Sequence, residues 1–521
     1  MRRVYLVLWL ISLLLLGIAA LGIDSPGYMD ADYYFATAQQ VADGRGFTQP
    51  FLWNYLDNPV GLPHASHGYW MPLTTVVTAL PLWLFHSHAF RVAQLPFFLL
   101  TSLMPAAVAY LAYQFHEERR WAILSGLLAL FSGFYFTFFL TTDNFTLYAW
   151  IGGLVLWVAG GQERERRPWT WAILGALVGL AYLTRADGIL LMFPVLWAAW
   201  EAVERRKWQP LALVLVGFAV VELPWWIRNL ITTGGILSPS NGRVLWLTSY
   251  NQLFIYPAEK LTVQHWLQAG LPAILHARLE ALWLNLQHAL AEPGMIFMWP
   301  FVLIAIRKQR AHRWVRISVG YFLLMFLIMT VVFPFAGGRG GVFHSSASLL
   351  PLVWVLAPIG LAASIRWAAE KRNWDVSQAQ TVFQYASVAI MAAVTLGLYL
   401  SQAFDPSGTG SDWDQSERLY QQVGDILDDY HLGNVRAVVN NPPGFWLATG
   451  LEAVVIPDGD IDTLQQVVRQ FEVEVVILDQ NLPSGLEDLY HDPNQVDWLR
   501  VVDRIERPQG TWVWIVEVNN P

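Results

Sequence analysis

The sequence predicts an all-α polytopic membrane protein of about eleven transmembrane helices, followed by a small extracytoplasmic α/β domain. Of its 521 residues, 55% are hydrophobic and only 14% are charged, whereas a soluble domain carries about 25% charged residues. Apolar runs recur as far as residue 401, and β-branched runs then alternate with helical patterns. The chain contains no Cys, which excludes disulfide bonds and thiolate metal sites.

Eleven apolar runs are candidate membrane spans, although several are shorter than the ~20 residues that a helix needs to cross a bilayer. The first run follows Met1-Arg2-Arg3 and is interpreted as a retained signal anchor rather than a cleaved signal peptide. The runs lie near residues 4–22, 92–113, 121–140, 144–160, 170–184, 188–203, 211–227, 294–306, 314–334, 345–365 and 382–401.

Basic residues are concentrated in alternate loops, and this pattern predicts the orientation. One set of loops contains 18 of the 32 Lys and Arg residues. Short loops rich in Lys and Arg stay cytoplasmic, so we expect a cytoplasmic N-terminus and an extracytoplasmic C-terminal domain. The eighteen residues are Arg2, Arg3, Arg119, Arg120, Arg164, Arg166, Arg167, Arg205, Arg206, Lys207, Arg307, Lys308, Arg310, Arg313, Arg316, Arg366, Lys371 and Arg372.

The first outer loop, residues 23–91, is predicted to contain two helices that lie at the membrane surface. Apolar residues recur at helical spacing in 31–43 and 72–86. The second segment is apolar enough to be considered as a span. Counting it as one would invert the alternation of basic loops at residues 116–120, so we assign it to the surface.

The composition changes after Gln402, which predicts a transmembrane domain at 1–402, a linker at 403–410 and a soluble domain at 411–521. Strands are expected at 435–439, 453–456, 473–478 and 511–518, and helices at about 413–430, 461–471 and 485–500. Asn440-Asn441-Pro442-Pro443-Gly444 is interpreted as a structural turn rather than a catalytic motif. We expect the domain to position an acceptor or to cap the site.

The predicted topology brings the distinctive polar residues to the outer ends of the spans. Arginines bind phosphate with a planar, permanently charged fork, and carboxylates can deprotonate a hydroxyl or hold a divalent cation. Facing groups of both kinds suit a lipid-linked anionic substrate. The residues are Asp30, Asp32, Asp143, Asp187, Arg185, Arg228, Asn229, Arg339 and His344.

Each of these residues also has an ordinary structural interpretation. Asp30 is placed where a helix start favours an acid, Asp143 where an acid caps the next span, and Arg185 and Arg228 where arginines snorkel to the interface. The four glycines around Arg339 indicate close backbone approach or a mobile loop.

Two further features stay open at this level. His64 and His67 are three residues apart and suit either a metal site or a hydrogen-bonded pair. Glu222, near the end of the seventh span, is either a buried partner for an arginine or a functional acid.

Taken in order, the motifs resemble the GT-C superfamily of membrane glycosyltransferases, in the dolichyl-phosphate-mannose–protein mannosyltransferase-like group. Asp30, Tyr33 and Tyr34 followed by Gly44-Arg45-Gly46-Phe47 are similar to the family's first outer helix. The segment 67–73 resembles its proline-led surface helix, and Asp143 falls at its second acidic position. Residues 184–188, 224–229 and 339–344 resemble its span-end signatures.

The resemblance implies a hexosyl- or pentosyltransferase that moves a sugar from a polyprenyl-phosphate donor, with inversion, on the extracytoplasmic face of the cell membrane. The acceptor is a protein, lipid or glycan, and no nucleic acid is involved. Asp30 is then the candidate base and Asp143 the second acid. The other substrate-binding residues are Arg185, Arg228, Arg339, His344, Asp187 and Tyr33.

No cofactor is required by this interpretation, although it is compatible with a divalent cation on Asp30, His64 and His67. Many members of the family have Asp-Glu at the first acidic site, whereas Ala31 follows Asp30 here, which weakens a metal-ligand role. Since residues two apart on a helix point about 200° apart, Asp30 and Asp32 are not expected to share one cavity. We expect Asp32 to face water or the amino terminus of the helix.

Two other classes of function are considered. A transporter or lipid-carrier flippase would favour internal repeats and binding groups at the membrane midplane, and the sequence has no evident repeat and few charges within spans. A non-catalytic sensor or scaffold would use the C-terminal domain to bind a ligand.

Overall fold

The structure is a computed structural model that describes residues 1–161, 167–202, 208–404, 411–507 and 510–519. A helical membrane part is followed by a small domain built on a β-sheet, as the sequence predicts. Most of the predicted linker, and the basic residues Arg164, Arg166, Arg205, Arg206 and Lys207, lie outside the described residues.

Among the described residues, six helices are long and apolar enough to cross a membrane. They are Arg2–Ala20, Phe90–His116, Gln209–Thr233, Arg313–Val331, Pro334–Arg372 and Val376–Ala403, the fifth being interrupted near its start. Shorter apolar helical segments that match predicted spans are Phe145–Ala159, Pro168–Thr184 and Ala186–Trp200. The chain is therefore a multi-pass membrane protein.

Close backbone contact holds the helices Pro168–Thr184 and Gln209–Thr233 together. A Cβ atom added at Gly175 would lie 1.9 Å from the Val214 carbonyl oxygen, and one at Gly217 would lie 1.9 Å from that of Ala172. Small residues allow this approach inside membranes, where dispersion contacts rather than the hydrophobic effect hold helices together. The helix pair carries Arg185 at the end of one member and Arg228 near the end of the other.

Two predicted spans differ from the observed helices. The predicted third span, 121–140, is divided into the helices Arg119–Leu130 and Tyr135–Phe138. Gly133, at a φ of +63°, lies between them. The predicted eighth span at 294–306 contains only the helix Trp299–Lys308. A 22-residue helix, Gly270–Ala291, precedes it within the predicted outer loop and exposes Leu271, Leu275, Leu279 and Trp283. Its charged residues hid this helix from a hydropathy search.

Two helices form in the first outer loop, as predicted: Met29–Ala42 and Leu73–Phe85. The first is not a surface helix in the ordinary sense, because ten of its residues are buried. The loop also forms three short strands, β1 (Thr48–Gln49), β2 (Phe51–Leu52) and β3 (His64–Ala65), of which β1 and β3 pair antiparallel.

The second long outer loop, between Thr233 and Gly270, contains the short helices Pro239–Arg243 and Val263–Gln268. After the last long helix, the C-terminal domain contributes strands β4 (Ala437–Val439), β5 (Ala453–Val455), β6 (Val475–Leu478), β7 (Leu499–Glu506) and β8 (Trp512–Val518). Its helices are Gln415–Asp429, Pro442–Thr449, Ile461–Gln470 and Glu487–His491. The helix predicted at 485–500 is wrong in its second half, because it ends at His491 and β7 begins at Leu499.

The sheet of the C-terminal domain is completed by the first outer loop. Its order is β2-β5-β4-β6-β8-β7. Strands β2, β5, β4 and β6 are parallel to one another, β8 pairs antiparallel with β6, and β7 pairs antiparallel with β8. Strand β2 precedes its partner β5 by about 400 residues in the chain, with Phe51 opposite Ala453. The division at residues 402 and 411 stays a prediction, but the two parts share one sheet.

Candidate active site

A cavity of about 370 Å³ lies between the first outer loop and the ends of several long helices. Its polar lining residues include Asp30, Asn144, Arg185, Asp187, Arg339 and His344. Its apolar lining residues include Ile328, Met329, Val332, Phe333 and Phe335. One cavity thus offers both charged groups and hydrocarbon.

Two carboxylates and an imidazole meet at one end of the cavity. Asp30 comes from the first turn of the helix Met29–Ala42, Asp143 lies two residues before the start of the helix Phe145–Ala159, and His344 follows the glycine-rich segment 337–341. One ligating atom from each lies within 4.8 Å of the others. The chain segments that supply them are more than a hundred residues apart, so only the fold brings them together.

Asp143 is fully buried and is held by two donors. The Tyr28 hydroxyl donates a hydrogen bond of 2.5 Å to Asp143 Oδ2, and the Asn144 amide donates one of 2.6 Å to Asp143 Oδ1. Burial raises the pKa of Asp143, and both hydrogen bonds oppose that rise because they stabilise the charged form. Desolvation also raises the pKa of Asp30, and the nearby Asp143 carboxylate raises it further.

His344 is oriented by its neighbours. Its Nδ1 lies 3.0 Å from Asn144 Oδ1 and 3.9 Å from Asp143 Oδ2. Its ring stacks on Phe145, with 3.9 Å between the ring centres. The stacking fixes the plane of the imidazole beside the two acids.

Arg185 presents the free end of its guanidinium to the cavity. Its Nε donates a hydrogen bond of 2.9 Å to Asp187 Oδ1, and the Ser345 hydroxyl donates to Asp187 Oδ2. Asp187 therefore holds the base of the fork, while the two terminal nitrogens have no hydrogen-bond partner among the described residues. A guanidinium whose two terminal nitrogens are available in this way can bind two oxygens of an anionic group.

Arg339 also lines the cavity, and it lies on a strongly bent segment. The helical path is interrupted at Arg339 and Gly340, where Gly340 has a φ of +102° that favours glycine. The guanidinium carbon of Arg339 lies 4.6 Å from the centre of the Tyr250 ring, a cation–π contact. Arg339 is exposed and forms no ion pair with another described residue.

Two of the residues assigned to substrate binding lie elsewhere. Arg228 does not line the cavity; it donates to the carbonyl oxygens of Phe47 (3.3 Å) and Ser66 (2.5 Å) and so braces the first outer loop. Tyr33 is buried, and its oxygen accepts a hydrogen bond of 2.6 Å from the backbone amide of His67.

The two histidines suggested for a metal are also used otherwise. The His67 ring lies between the Ser66 and Thr75 hydroxyls, at 2.7 and 2.9 Å, and His64 Nε2 is 2.9 Å from Asp57 Oδ2. The described groups that lie close enough to Asp30 to share an ion with it are Asp143 and His344.

The expectation for Asp32 is wrong in part. Asp30 and Asp32 do point to different sides, but Asp32 does not face water, since it is only 6% exposed. Asn441 of the C-terminal domain donates a hydrogen bond of 2.8 Å to Asp32 Oδ2. No sequence pattern indicates this partner, which lies 409 residues away.

Several residues of the site escaped sequence reasoning. Tyr28, Tyr250 and the cavity-lining Arg278 carry no motif, and Arg278 lies on the helix that hydropathy did not mark. Tyr34, rather than Tyr33, lines the cavity. Asn144 follows Asp143 directly, and this adjacency is the one signal that was available.

The fold is shared with solved membrane enzymes. ArnT from Cupriavidus metallidurans, solved with bound undecaprenyl phosphate, matches with a TM-score of 0.60 at 15% identity, and the match covers 99% of both chains. The oligosaccharyltransferase of Archaeoglobus fulgidus, in complex with Zn and sulfate, matches with a TM-score of 0.56 at 12% identity, over 97% of this chain and 72% of that one.

The same archaeal enzyme, AglB, in complex with an inhibitory peptide and a dolichol-phosphate, matches with a TM-score of 0.53 at 12% identity, over 97% of this chain and 74% of that one.

Residues 66–227 match the model of the family described as dolichyl-phosphate-mannose-protein mannosyltransferase. Together with the shared fold, this match supports a membrane glycosyltransferase of the GT-C type. No curated protein matches the chain. The predicted resemblance is confirmed, and the transporter and sensor alternatives are not favoured.

Proposed function

We propose that this protein transfers a hexosyl or pentosyl group from a polyprenyl-phosphate donor to an acceptor hydroxyl at the extracytoplasmic face, with inversion at the anomeric carbon. The observation that carries the proposal is the mixed lining of the cavity. Asp30, Arg185 and Arg339 line it together with apolar side chains, and Asp143 adjoins Asp30. This composition suits a phosphate joined to both a sugar and a hydrocarbon chain.

Asp30 is assigned as the general base. The acceptor oxygen attacks the anomeric carbon, the hydroxyl proton passes to an Asp30 oxygen, and the bond from that carbon to the phosphate oxygen breaks. The released polyprenyl phosphate keeps the electron pair of the broken bond. The raised pKa of Asp30 strengthens it as a base, since a base is most effective when its pKa lies near the working pH.

Asp143 and the arginines are assigned complementary electrostatic roles. The negative charge of Asp143 raises the basicity of Asp30 and stabilises positive charge that develops on the sugar ring. Arg185 and Arg339 stabilise negative charge on the departing phosphate. Asp187 keeps Arg185 in place through the 2.9 Å contact to its Nε.

A divalent cation fits the acid end of the cavity without being required. Two carboxylates and one imidazole with ligating atoms within 4.8 Å of one another are a donor set that Zn²⁺ or Mn²⁺ accepts. Asp30, Asp143 and His344 would hold the ion, and it would supply positive charge near the donor phosphate. Arg185 and Arg339 already supply such charge from the protein itself.

The test is transfer from defined donors. Purified protein is incubated with a panel of polyprenyl-phosphate sugars, and released polyprenyl phosphate is measured. We expect Asp30→Asn to lower the rate by about 10²–10⁴-fold, the usual contribution of a general base. Asp43→Asn is the matched control, because Asp43 follows the last residue of the same helix and its side chain contacts the exposed His88 and Arg45. Equal rates for wild type and Asp30→Asn would contradict the assignment of the base.

A further inference from the structure

The first turn of the helix Met29–Ala42 connects the candidate base to the C-terminal domain. Asp30 lines the cavity on one side of the helix, and Asp32 is buried against the C-terminal domain on the other. Asn441 Nδ2 donates a hydrogen bond of 2.8 Å to Asp32 Oδ2. The residue two positions from the base is therefore held by a side chain 409 residues further along the chain.

The side-chain amide of Asn441 has three partners. Its Oδ1 accepts a hydrogen bond of 3.2 Å from the Gly444 backbone amide and so caps the helix Pro442–Thr449. Its Nδ2 donates to Asp32 at 2.8 Å and to the Ser416 hydroxyl oxygen at 3.5 Å. The positive end of the helix dipole also favours a carboxylate at this place.

Gly444 makes room for the contact. A Cβ atom at this position would lie 2.8 Å from Asp32 Oδ2 and 2.5 Å from Asn441 Nδ2. A side chain would therefore separate the acid from the amide. The close approach depends on a glycine, so the pair is part of a closely fitted junction rather than an incidental surface contact.

Other contacts hold the chain on both sides of this turn. The Ser25 amide and hydroxyl donate to Asp414 Oδ1 at 3.1 and 2.7 Å, and Trp413 Nε1 donates to the Ser25 carbonyl at 3.1 Å. Beyond the helix, β2 pairs with β5. The first outer loop is thus attached to the C-terminal domain before and after the helix that carries Asp30.

The second acid depends on the same domain. The Tyr28 ring contacts Trp413 edge to face, with 5.7 Å between ring centres, and its hydroxyl donates to Asp143. The contacts of the C-terminal domain therefore lead to both carboxylates of the cavity.

We propose that the C-terminal domain sets the geometry of the two acids, and that Asn441 is a positioning residue that holds Asp30 through Asp32. This inference rests on the proposed function of Asp30. A helical turn transmits displacement at one residue to its neighbours, and a general base must lie within about 2.6–3.2 Å of the atom whose proton it takes. A displacement of about 1 Å can cost ~10²-fold in rate.

Asn441→Asp, assayed in alkaline buffer, tests the inference because it keeps the helix cap and changes the contact with Asp32. The new carboxylate still caps the helix, since Asp and Asn are equivalent at this position. At a pH where no proton bridges the two acids, it places an acceptor opposite the Asp32 acceptor. We expect kcat to fall about 10- to 100-fold while KM for the donor changes by less than about 2-fold, because the base moves and the phosphate site does not.

The rescue is the double variant Asp32→Asn with Asn441→Asp. It restores a donor opposite an acceptor, in the reverse direction, so we expect kcat to return to within about 3-fold of wild type. Asn440→Asp is the matched control. Asn440 lies in the same turn but donates to Asp479 at 2.5 Å, so this variant perturbs the domain and leaves Asp32 untouched. We expect its folded fraction to keep the wild-type kcat.

Three outcomes would overturn the positioning role: a wild-type kcat in Asn441→Asp, no recovery in the double variant, or an equal loss of kcat in Asn440→Asp. A wild-type rate in Asp30→Asn would overturn the proposed function and this inference together. An inactive Asp30→Asn beside a fully active Asn441→Asp would overturn the inference alone, so the two failures are distinguishable.

Discussion

Replacing Tyr28 by Phe tests whether Asp143 must be charged for the reaction. The substitution removes only the hydroxyl that donates to Asp143 Oδ2 at 2.5 Å. The phenyl ring keeps its edge-to-face contacts with Phe138 and Trp413, whose ring centres lie 5.5 and 5.7 Å away. Any change therefore reports on the hydrogen bond rather than on packing.

The size of the effect follows from the surroundings of Asp143. The carboxylate is fully buried, and without Tyr28 its remaining hydrogen-bond donor among the described residues is the Asn144 amide. A hydrogen bond to a charged group contributes about 1.5–3 kcal/mol, and 1.36 kcal/mol corresponds to one pH unit in a pKa. Because the lost bond stabilised the charged form, the pKa of Asp143 should rise by roughly one to two pH units.

The measurement is the pH dependence of kcat/KM for sugar transfer. The base Asp30 must be ionised, and its pKa is raised further than that of Asp143, so the acid limb begins with protonation of Asp30. If the reaction also needs ionised Asp143, the limb steepens from one proton to two as the pH drops through the pKa of Asp143. We expect this steepening in Tyr28→Phe to begin about one to two pH units above its position in wild type, with little change at the alkaline plateau. An unchanged acid limb would refute the requirement for a charged Asp143.

Three further predictions concern residues around the site. Arg339→Gln should raise KM for the donor about 10- to 100-fold, since a charge-assisted contact to phosphate contributes about 1.5–3 kcal/mol. A normal KM in steady-state kinetics would show that Arg339 does not bind the donor. Arg228→Gln should leave the KM for the donor unchanged and lower the free energy of unfolding by about 1–3 kcal/mol, because Arg228 holds the Phe47 and Ser66 carbonyls. Thermal denaturation measures this loss of stability. A raised KM with normal stability would contradict the structural role of Arg228. Glu222→Met should raise the free energy of unfolding by about 1–3 kcal/mol, because neither buried carboxylate oxygen has a hydrogen-bond partner among the described residues. Loss of transfer activity in that variant would instead identify Glu222 as a functional acid.

Much of the membrane part was predictable because its physics is local. Apolar runs must be helical in a bilayer, where each backbone polar group needs a partner within its own segment. The helices Arg2–Ala20, Phe90–His116 and Val376–Ala403 accordingly match predicted spans closely. The prediction was wrong where polar residues interrupt a helix: Gly270–Ala291 carries His276, Arg278 and Glu280. The apolar residues Leu271, Leu275 and Leu279 of this helix form one exposed stripe, which is recognised only when the structure shows which face is exposed.

The candidate site was predictable to the extent that topology alone brings residues to one side. Asp30, Asp143, Arg185, Arg339 and His344 lie at the outer ends of predicted spans, and they do line or adjoin one cavity. Arg228 and Tyr33 share that membrane depth but point into the first outer loop. Depth along the membrane normal is encoded by hydropathy, whereas direction within the membrane plane depends on how the helices pack.

The sequence by itself determined the class of fold, the reaction class suggested by the resemblance, and the identity of most charged groups in the cavity. Tertiary structure alone decided that β2 completes the sheet of the C-terminal domain, that Tyr28 supports Asp143, and that Asn441 holds Asp32. The physical reason is the range of the interactions. Hydropathy and helical periodicity act over tens of residues, while these contacts join segments that are 115 to 409 residues apart.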